Sequence, residues 1–431
     1  MMFRKYLLAI LFLVVSSTIA EAASDTQPIP AGTVITLKNW QQYQQYMPEG
    51  MRVLFAGNGF WKMPPDFQMV IGPTSSYPLP KEYIANTEKY SGQVKIEDTP
   101  GGGHAITGYV AGLPFPNPAD PLKGYKILVN NWYHYVPYLI CGNSNQQLLE
   151  DRFGNTTSSR MAMVDRRLSH ISDAGQPIND PRAQGIDYSE WGMVLEPEQQ
   201  KYTETLTLYY VDPSKPEDSF LFAPNLRRVI RESSSSRCAP AAGSDWIPDD
   251  FRGGFNGGIA RFDADYLHDQ PILTLINADP AMFGNRAAYY PTFFPRPELG
   301  KWEVHDTYVI NIVRIPSQRS GYCYGKQITY VDKDTYLILW KDIYDAAMKF
   351  TKIDMVEHIA GPVTGAGIQR ETVNSVQTIW DPARAHLSWW ATSAPGGKEL
   401  LNNENCRNVN GQNYDDVSRY STSGGLTQVM R

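Results

Sequence analysis

The sequence predicts a mainly β (α+β) protein built on a large curved antiparallel sheet or half-barrel. Two observations carry this. From Gln146 onward, short apolar-rich runs alternate with tight turns and no long helical crossover intervenes, which gives a meander of sequential strands. Between Trp302 and Ile359 the strands are rich in large rings, and Tyr336 to Tyr344 is apolar at both parities, with Leu337 and Leu339 alternating with Ile338 and Trp340. A sheet with one solvated face alternates cleanly, so this strand is expected to be covered on both sides.

The elements follow in chain order. Arg4 and Lys5, the apolar run Leu7 to Val15 and the small-residue site at Ala20-Glu21-Ala22 read as a cleavable export signal over residues 1–22, too short to span a bilayer. Residues 23–143 form a proline-rich helical arm. Asn39 precedes a short helix that presents Trp40, Tyr43 and Met47 and stops at Pro48, and a second helix runs from Pro80 to about Gly92. Pro114, Pro116, Pro118 and Pro121 interrupt regular structure until Leu122.

Residues 144–392 are the antiparallel β half-barrel. Gly154-Asn155 joins a hairpin of 147–153 and 156–168, and Asp212 to Pro216 joins 203–211 to 219–223. A strand at 226–232 follows, and Asp381 to Arg384 joins 373–380 to 386–392. Within 302–359 three long strands are expected. Period two puts Trp302, Val304, Tyr308, Ile310 and Ile312 on one face, against Glu303, His305, Thr307 and Asn311 on the other. Residues 393–431 are a Gly-, Asn- and Ser-rich C-terminal tail, mobile except where Cys406 ties it down.

Hydrophobic residues make up 42% and aromatic residues 12% of the 431, enough for a large core. A net charge of −6 argues against nucleic acid as a partner and disfavours anionic membrane surfaces, because both need a basic surface. The four cysteines, Cys141, Cys238, Cys323 and Cys406, form no CxxC pair, so export favours disulfides over zinc or redox chemistry. Three pairings are open; Cys238 with Cys323 is preferred because both lie at strand ends, leaving Cys141 with Cys406.

No catalytic signature emerges. The sequence lacks GxSxG, HExxH and P-loop motifs, and Gly253 to Gly258 reads as a turn, without a Lys or Ser/Thr placed for phosphate. His104, His134, His170, His268, His305 and His358 have no ligand spacing, so neither metal nor cofactor is expected. Asp249-Asp250 and Asp263 with Asp265 are the acid pairs to weigh for glycoside chemistry, but loop acids more often cap or face solvent. Asn155-Thr156-Thr157 matches a glycosylation acceptor that the turn already explains. Arg227, Arg228 and Arg231 read as charge protecting an exposed strand edge, or as a basic rim for a lipid headgroup or acidic partner.

Four segments carry a resemblance. EYIANTEKYSGQ (82–93), GYVAGLPFPNP (108–118), FAPNLRRV (222–229) and ITYVDKDTYLILWKDIYDA (328–346) resemble the bacterial domain-of-unknown-function 1329 family, in the same order. The chain departs from that pattern at Ser233 to Ala242, where a Ser-rich loop holds Cys238. The resemblance implies an exported Gram-negative envelope protein whose β part is similar to periplasmic lipoprotein-sorting (Lol) carriers: a curved sheet around an apolar cavity, N-terminal helices as lid, and no catalytic residues. The function expected is a periplasmic binding or carrier protein for a lipid or other hydrophobic molecule, not an enzyme, with outer-membrane association as an option. The cavity lining is expected from Leu206, Leu208, Tyr210, Trp302, Val304, Tyr308, Ile310, Ile328, Tyr330, Ile338 and Trp340, with Arg227 and Arg228 at its rim. The alternative is an envelope interaction protein with no ligand of its own, partnering a transporter or outer-membrane protein.

Overall fold

The computed structural model describes residues 29–212, 215–233, 237–279, 281–282, 284–289, 291–392 and 400–430; side chains of 371–374 and 430 are left out. The expected signal at 1–22 lies outside the described residues. In chain order the strands are β1 Val34–Thr36, β2 Gln68–Val70, β3 Lys95–Asp98, β4 His104–Thr107, β5 Leu139–Glu150, β6 Thr156–Arg167, β7 Ile186–Glu196, β8 Glu204–Tyr210, β9 Asp218–Ala223 and β10 Arg228–Arg231. They continue as β11 Phe262–Thr274, β12 Glu303–Arg314, β13 Tyr324–Asp332, β14 Ile338–Asp345, β15 Phe350–Val363, β16 Gly367–Asp381, β17 His386–Ala391 and β18 Leu401–Asn402. The main helices are α1 Glu49–Ala56, α2 Lys81–Tyr90 and α3 Lys123–Trp132.

One open antiparallel sheet dominates, ordered β10-β9-β8-β7-β6-β5-β17-β16-β15-β14-β13-β12-β11, with β18 added alongside β5. It is two meanders, β5 to β10 and β11 to β17, stitched where residues 387–391 of β17 pair with 146–150 of β5. Its edges, β10 and β11, do not meet, so no barrel closes. Edge position explains how β11 accommodates Pro271, which has no ladder N–H to give. It also explains exposed Arg228 and Arg231 on β10, since charge blunts an open edge.

The region 302–359 contains β12 to β15 rather than three strands, because β14 and β15 turn sharply at 346–349. From Ile338 to Tyr344 every residue of β14 is buried, so the doubly apolar strand is covered on both faces. The sheet begins at Leu139, inside the stretch read as arm.

Proline starts α1 and α2: Pro48 and Pro80 stand at their N-caps, each with its φ pre-set near the helical value. The sequence reading stopped its first helix at Pro48, correctly ending the 3-10 turn Trp40–Tyr46, but missed that α1 begins there. It also missed α3, eight of whose ten residues are buried, although Lys123, Lys126 and Asn130 mark one face at i, i+3 and i+7. A Cβ on Gly124 would lie 2.1 Å from the Ala264 carbonyl oxygen, so this helix rests directly on the β11 backbone.

The disulfides are Cys141–Cys406 and Cys238–Cys323, the preferred pairing. Residues 400–430 are held by more than Cys406. Tyr420 and Leu426 pack with Trp191, Leu206 and Phe222, Arg166 pairs with Asp415, and Arg419 grips Glu204 at 2.6 Å.

Candidate functional site

Three large cores, with two small satellites, surround the sheet among the described residues. The first lies under the N-terminal arm. Met47, Met51, Leu54 and Phe55 from α1 and the turn before it, with Trp61, Met63, Phe67 and Met69, face Tyr330, Trp340, Ile353, Met355, Trp380 and Trp389 of the sheet. The 275–299 connection closes its flank. Phe294 stacks between Trp302, at 5.4 Å and 7°, and Trp380, at 5.9 Å and 29°, while Phe67 meets both Phe55 and Phe294 edge-on. The indole N–H groups are satisfied at the margins, Trp61 donating to the His386 carbonyl and Trp380 to that of Thr292.

The polar centre of this core is Asp342. Its Oδ1 accepts from the Gly50 amide at 2.9 Å and from Trp340 Nε1 at 2.8 Å, while Tyr344 donates to Glu49. The carboxylate therefore holds the N-terminus of α1, where helix amides lack intrahelical partners. Burial raises its pKa to about 7 against the lowering by those two donors. A Cβ on Gly50 would lie 2.6 Å from Asp342 Oδ1 and 2.8 Å from Ile353 Cγ2, so only glycine lets the helix come this close.

The second core lies under α3 and the 237–262 segment that the Cys238–Cys323 disulfide clamps. Beneath it runs a buried ionic layer. Lys341 Nζ sits 2.7 Å from Asp250 and 3.5 Å from Asp354, and Gln377 donates to both oxygens of Asp354 at 3.0 Å. Tyr324 donates to Asp250, and His386 pairs with Asp245 at 2.7 Å. Asp249 takes Arg237, Arg314 at 2.8 Å and the Tyr322 hydroxyl; burial pushes its pKa up, but the guanidiniums outweigh it and hold the carboxyl below its usual range. Asp249 and Asp250 are thus structural, locked in ion pairs rather than facing a groove. Asp263 approaches His104 at 3.5 Å, and Asp265 reaches Asn311. Among the described residues no group of three His, Cys, Asp or Glu side chains is arranged to hold a metal. The glycine run serves as a turn against the sheet, Gly254 facing Ile338 and Gly257 facing the Phe262 ring.

The eleven residues expected to line one cavity are divided. Trp302, Tyr330 and Trp340, with Val304 and Ile328 at the margin, belong to the arm core. Tyr308, Ile310 and Ile338 belong to the core under α3, and Leu206, Leu208 and Tyr210 to the one under the C-terminal segment. The face assigned to Trp302 through Ile312 therefore splits between neighbours. The reason is visible in Ile272 and Leu273: adjacent on β11 and so oppositely directed, both enter the arm core, which wraps that end of the sheet. Arg227 and Arg228 stand exposed at the β9–β10 turn. One void of about 270 Å³ is bordered by Trp132, Tyr209, Tyr210, Arg261 and Ile315, and another of about 210 Å³ by Cys141, Asn143 and Tyr414. Both fall below the usual range for a small-molecule site. The sequence reading missed Asp342 and Gly50. The signal was available, because Lys341 and Asp342 interrupt an otherwise apolar buried strand and buried charges need partners.

The class is a large curved, unclosed antiparallel sheet with few helices, each face covered by the chain's own segments. The chain belongs to a family described as protein of unknown function (DUF1329), whose sequence model matches residues 34–414. It is similar to a putative outer membrane lipoprotein-sorting protein domain from Vibrio parahaemolyticus, at 14% identity and TM-score 0.45 over 65% of this chain and 93% of that one. A DUF1329 family protein from Desulfovibrio piger gives 14% identity and TM-score 0.45 over 68% and 98%. A LolA superfamily protein from Nitrosomonas europaea gives 11% and 0.38 over 64% and 90%. No curated protein matches the chain.

Proposed function

We propose that this protein is a periplasmic carrier for a lipid or another hydrophobic molecule, and that its ligand compartment is the space the arm fills. The observation that carries this is the chemistry of the arm–sheet contact. Met47, Met51, Met63 and Met69 on the arm oppose Met355 and a floor of tryptophans, with Asp342 the buried acid at the seam. Methionine is flexible and polarizable, and such surfaces repack around varied apolar partners. A lipid chain lifted onto Trp302, Tyr330 and Trp340 would exchange one apolar cover for another, at roughly 25 cal/mol per Å² on each side. Export by the signal at 1–22 supplies the compartment.

A second reading is favoured by one observation: β14 is covered on both faces by protein, which suits an envelope interaction protein with no cargo. Native mass spectrometry of protein purified without detergent separates the two. Co-purified or added lipid bound at one-to-one stoichiometry is expected for the carrier. Protein that stays bare after incubation with lipids would leave the interaction reading.

A further inference from the structure

Because the strands alternate in direction, the turns β5–β6, β7–β8, β9–β10, β14–β15 and β16–β17 all emerge at one end of the sheet. Large apolar side chains stand exposed there, on separate loops: Phe153 at 82%, Met348 at 61%, Leu226 at 59% and Tyr202 at 46%. Phe60 joins them at 46%, placed at this end because its neighbour Trp61 donates to the His386 carbonyl beside the β16–β17 turn. Singly, exposed apolar residues need no explanation. Here each has a cation beside it in sequence: Arg152, Lys349, Arg227, Lys201 and, two residues on, Lys62. The acids of these turns are engaged locally. Asp151 accepts from the Phe153 and Asn155 amides and Asp345 from those of Ala347 and Lys349, while Glu198 pairs with Lys201, so the Tyr202 tip is the one whose cation is already matched. At the opposite end Val211 is followed by Asp212, and the cation two residues on from Ile368, Arg370, is buried.

We propose that this end of the sheet docks on a phospholipid bilayer, the apolar tips entering the interface while the adjacent cations meet phosphates. The spacing selects a membrane over a protein partner. Hairpin tips two strands apart are about 10 Å apart, so the row from the β9–β10 tip to the β14–β15 tip covers roughly 40 Å. Protein hot spots cluster in a desolvated centre, whereas single aromatic and aliphatic anchors beside Lys or Arg, strung along a rim, match a headgroup layer. With a net charge of −6 the whole molecule is not drawn to anionic lipid, so the attraction is confined to this rim. The inference stands whatever the cargo.

The test is vesicle flotation of the mature protein with phosphatidylethanolamine and phosphatidylglycerol in a roughly three-to-one mixture. The wild type is expected to float. The triple variant Phe153→Ser, Leu226→Ser, Met348→Ser is expected to lose about a hundredfold or more in partitioning, from the apolar area each side chain returns to water. Its melting temperature should be unchanged, because these side chains are exposed. The control Val211→Ser, Ile368→Ser should float like the wild type. Phe153→Trp should show blue-shifted fluorescence on adding vesicles. A wild type that stays at the bottom, a triple variant that floats undiminished, or a control that fails equally would each overturn the proposal.

Discussion

Gly50→Ala is a substitution for which helix propensity and geometry give opposite signs. In an exposed helix interior, replacing Gly by Ala stabilises by about 1 kcal/mol. At this site the new methyl would lie 2.6 Å from Asp342 Oδ1, 2.8 Å from Ile353 Cγ2 and 2.9 Å from its Cγ1, each too close by the better part of an ångström. Relieving such overpacking costs roughly 1 to 3 kcal/mol. Moving α1 outward also weakens the Gly50 amide bond to the Asp342 carboxylate, worth about 1.5 to 3 kcal/mol for a bond to a charged group. The expected net is a loss of about 2 to 4 kcal/mol. Equilibrium denaturation followed by tryptophan fluorescence reads it directly, since Trp340 and Trp380 lie in the affected core. Limited proteolysis in 49–67 should accelerate in parallel. A variant as stable as the wild type, or more stable, would refute the claim that glycine is required by close approach.

The pH dependence has a definite sign. Because burial raises the folded-state pKa of Asp342 to about 7 above the ordinary carboxylate value near 4, its penalty is absent below about pH 4, grows as pH rises to 7 and is complete above. Asp342→Asn keeps an acceptor for Gly50 and Trp340, so between pH 5 and 8 the variant should lose roughly 2 to 3 kcal/mol less stability than the wild type; equal losses in paired urea melts would show that the carboxylate is not the titrating group. Lys341→Met leaves Asp250 and Asp354 buried without their shared cation and should cost about 3 to 5 kcal/mol, partly recovered by adding Asp250→Asn and Asp354→Asn. Calorimetry of the single and triple variants checks this. Cys406→Ser opens a bond that spans 265 residues and should cost about 2 to 5 kcal/mol, yet 400–430 should stay protected in hydrogen exchange because Arg419–Glu204 and Arg166–Asp415 remain.

The hairpins at Gly154-Asn155, Asp212 to Pro216 and Asp381 to Arg384 were legible because their turn chemistry is local; the cysteine pairing was met, but by another route, since Cys323 abuts β13 while Cys238 and Cys406 lie in 3-10 turns. What local pattern does not encode stayed hidden. β11 carries Pro271 and a charged run, and only its edge position makes that tolerable. α3 carries a polar period in Lys123, Lys126 and Asn130, but it is short, follows a proline-broken stretch and starts from Leu122 in a left-handed conformation without a conventional cap. The stitching of β17 to β5 joins residues more than 200 positions apart, and no turn announces it. The lining set failed to gather for a related reason: period two assigns a side chain to a face, but which segment covers that face is decided by distant parts of the chain. The clearest unread signal was Lys341-Asp342, two charges in a strand already inferred to be buried on both sides, each of which has to meet a partner from elsewhere.

If the arm is the cover of the compartment, its docking energy enters the affinity for cargo. A site open for only a fraction of the time binds with an apparent dissociation constant raised by the inverse of that fraction, so an arm docked ninety-nine parts in a hundred weakens uptake about a hundredfold. A variant that weakens arm docking by about 1.4 kcal/mol should then strengthen lipid uptake about tenfold, even though it destabilises the fold. Gly50→Ala acts at the arm and leaves Trp302, Tyr330 and Trp340 in place. A carrier therefore predicts opposite changes in stability and in lipid affinity for this one substitution, measured by native mass spectrometry against a fixed lipid concentration. An interaction protein filled by its own side chains predicts the stability loss alone, with the protein bare in both forms.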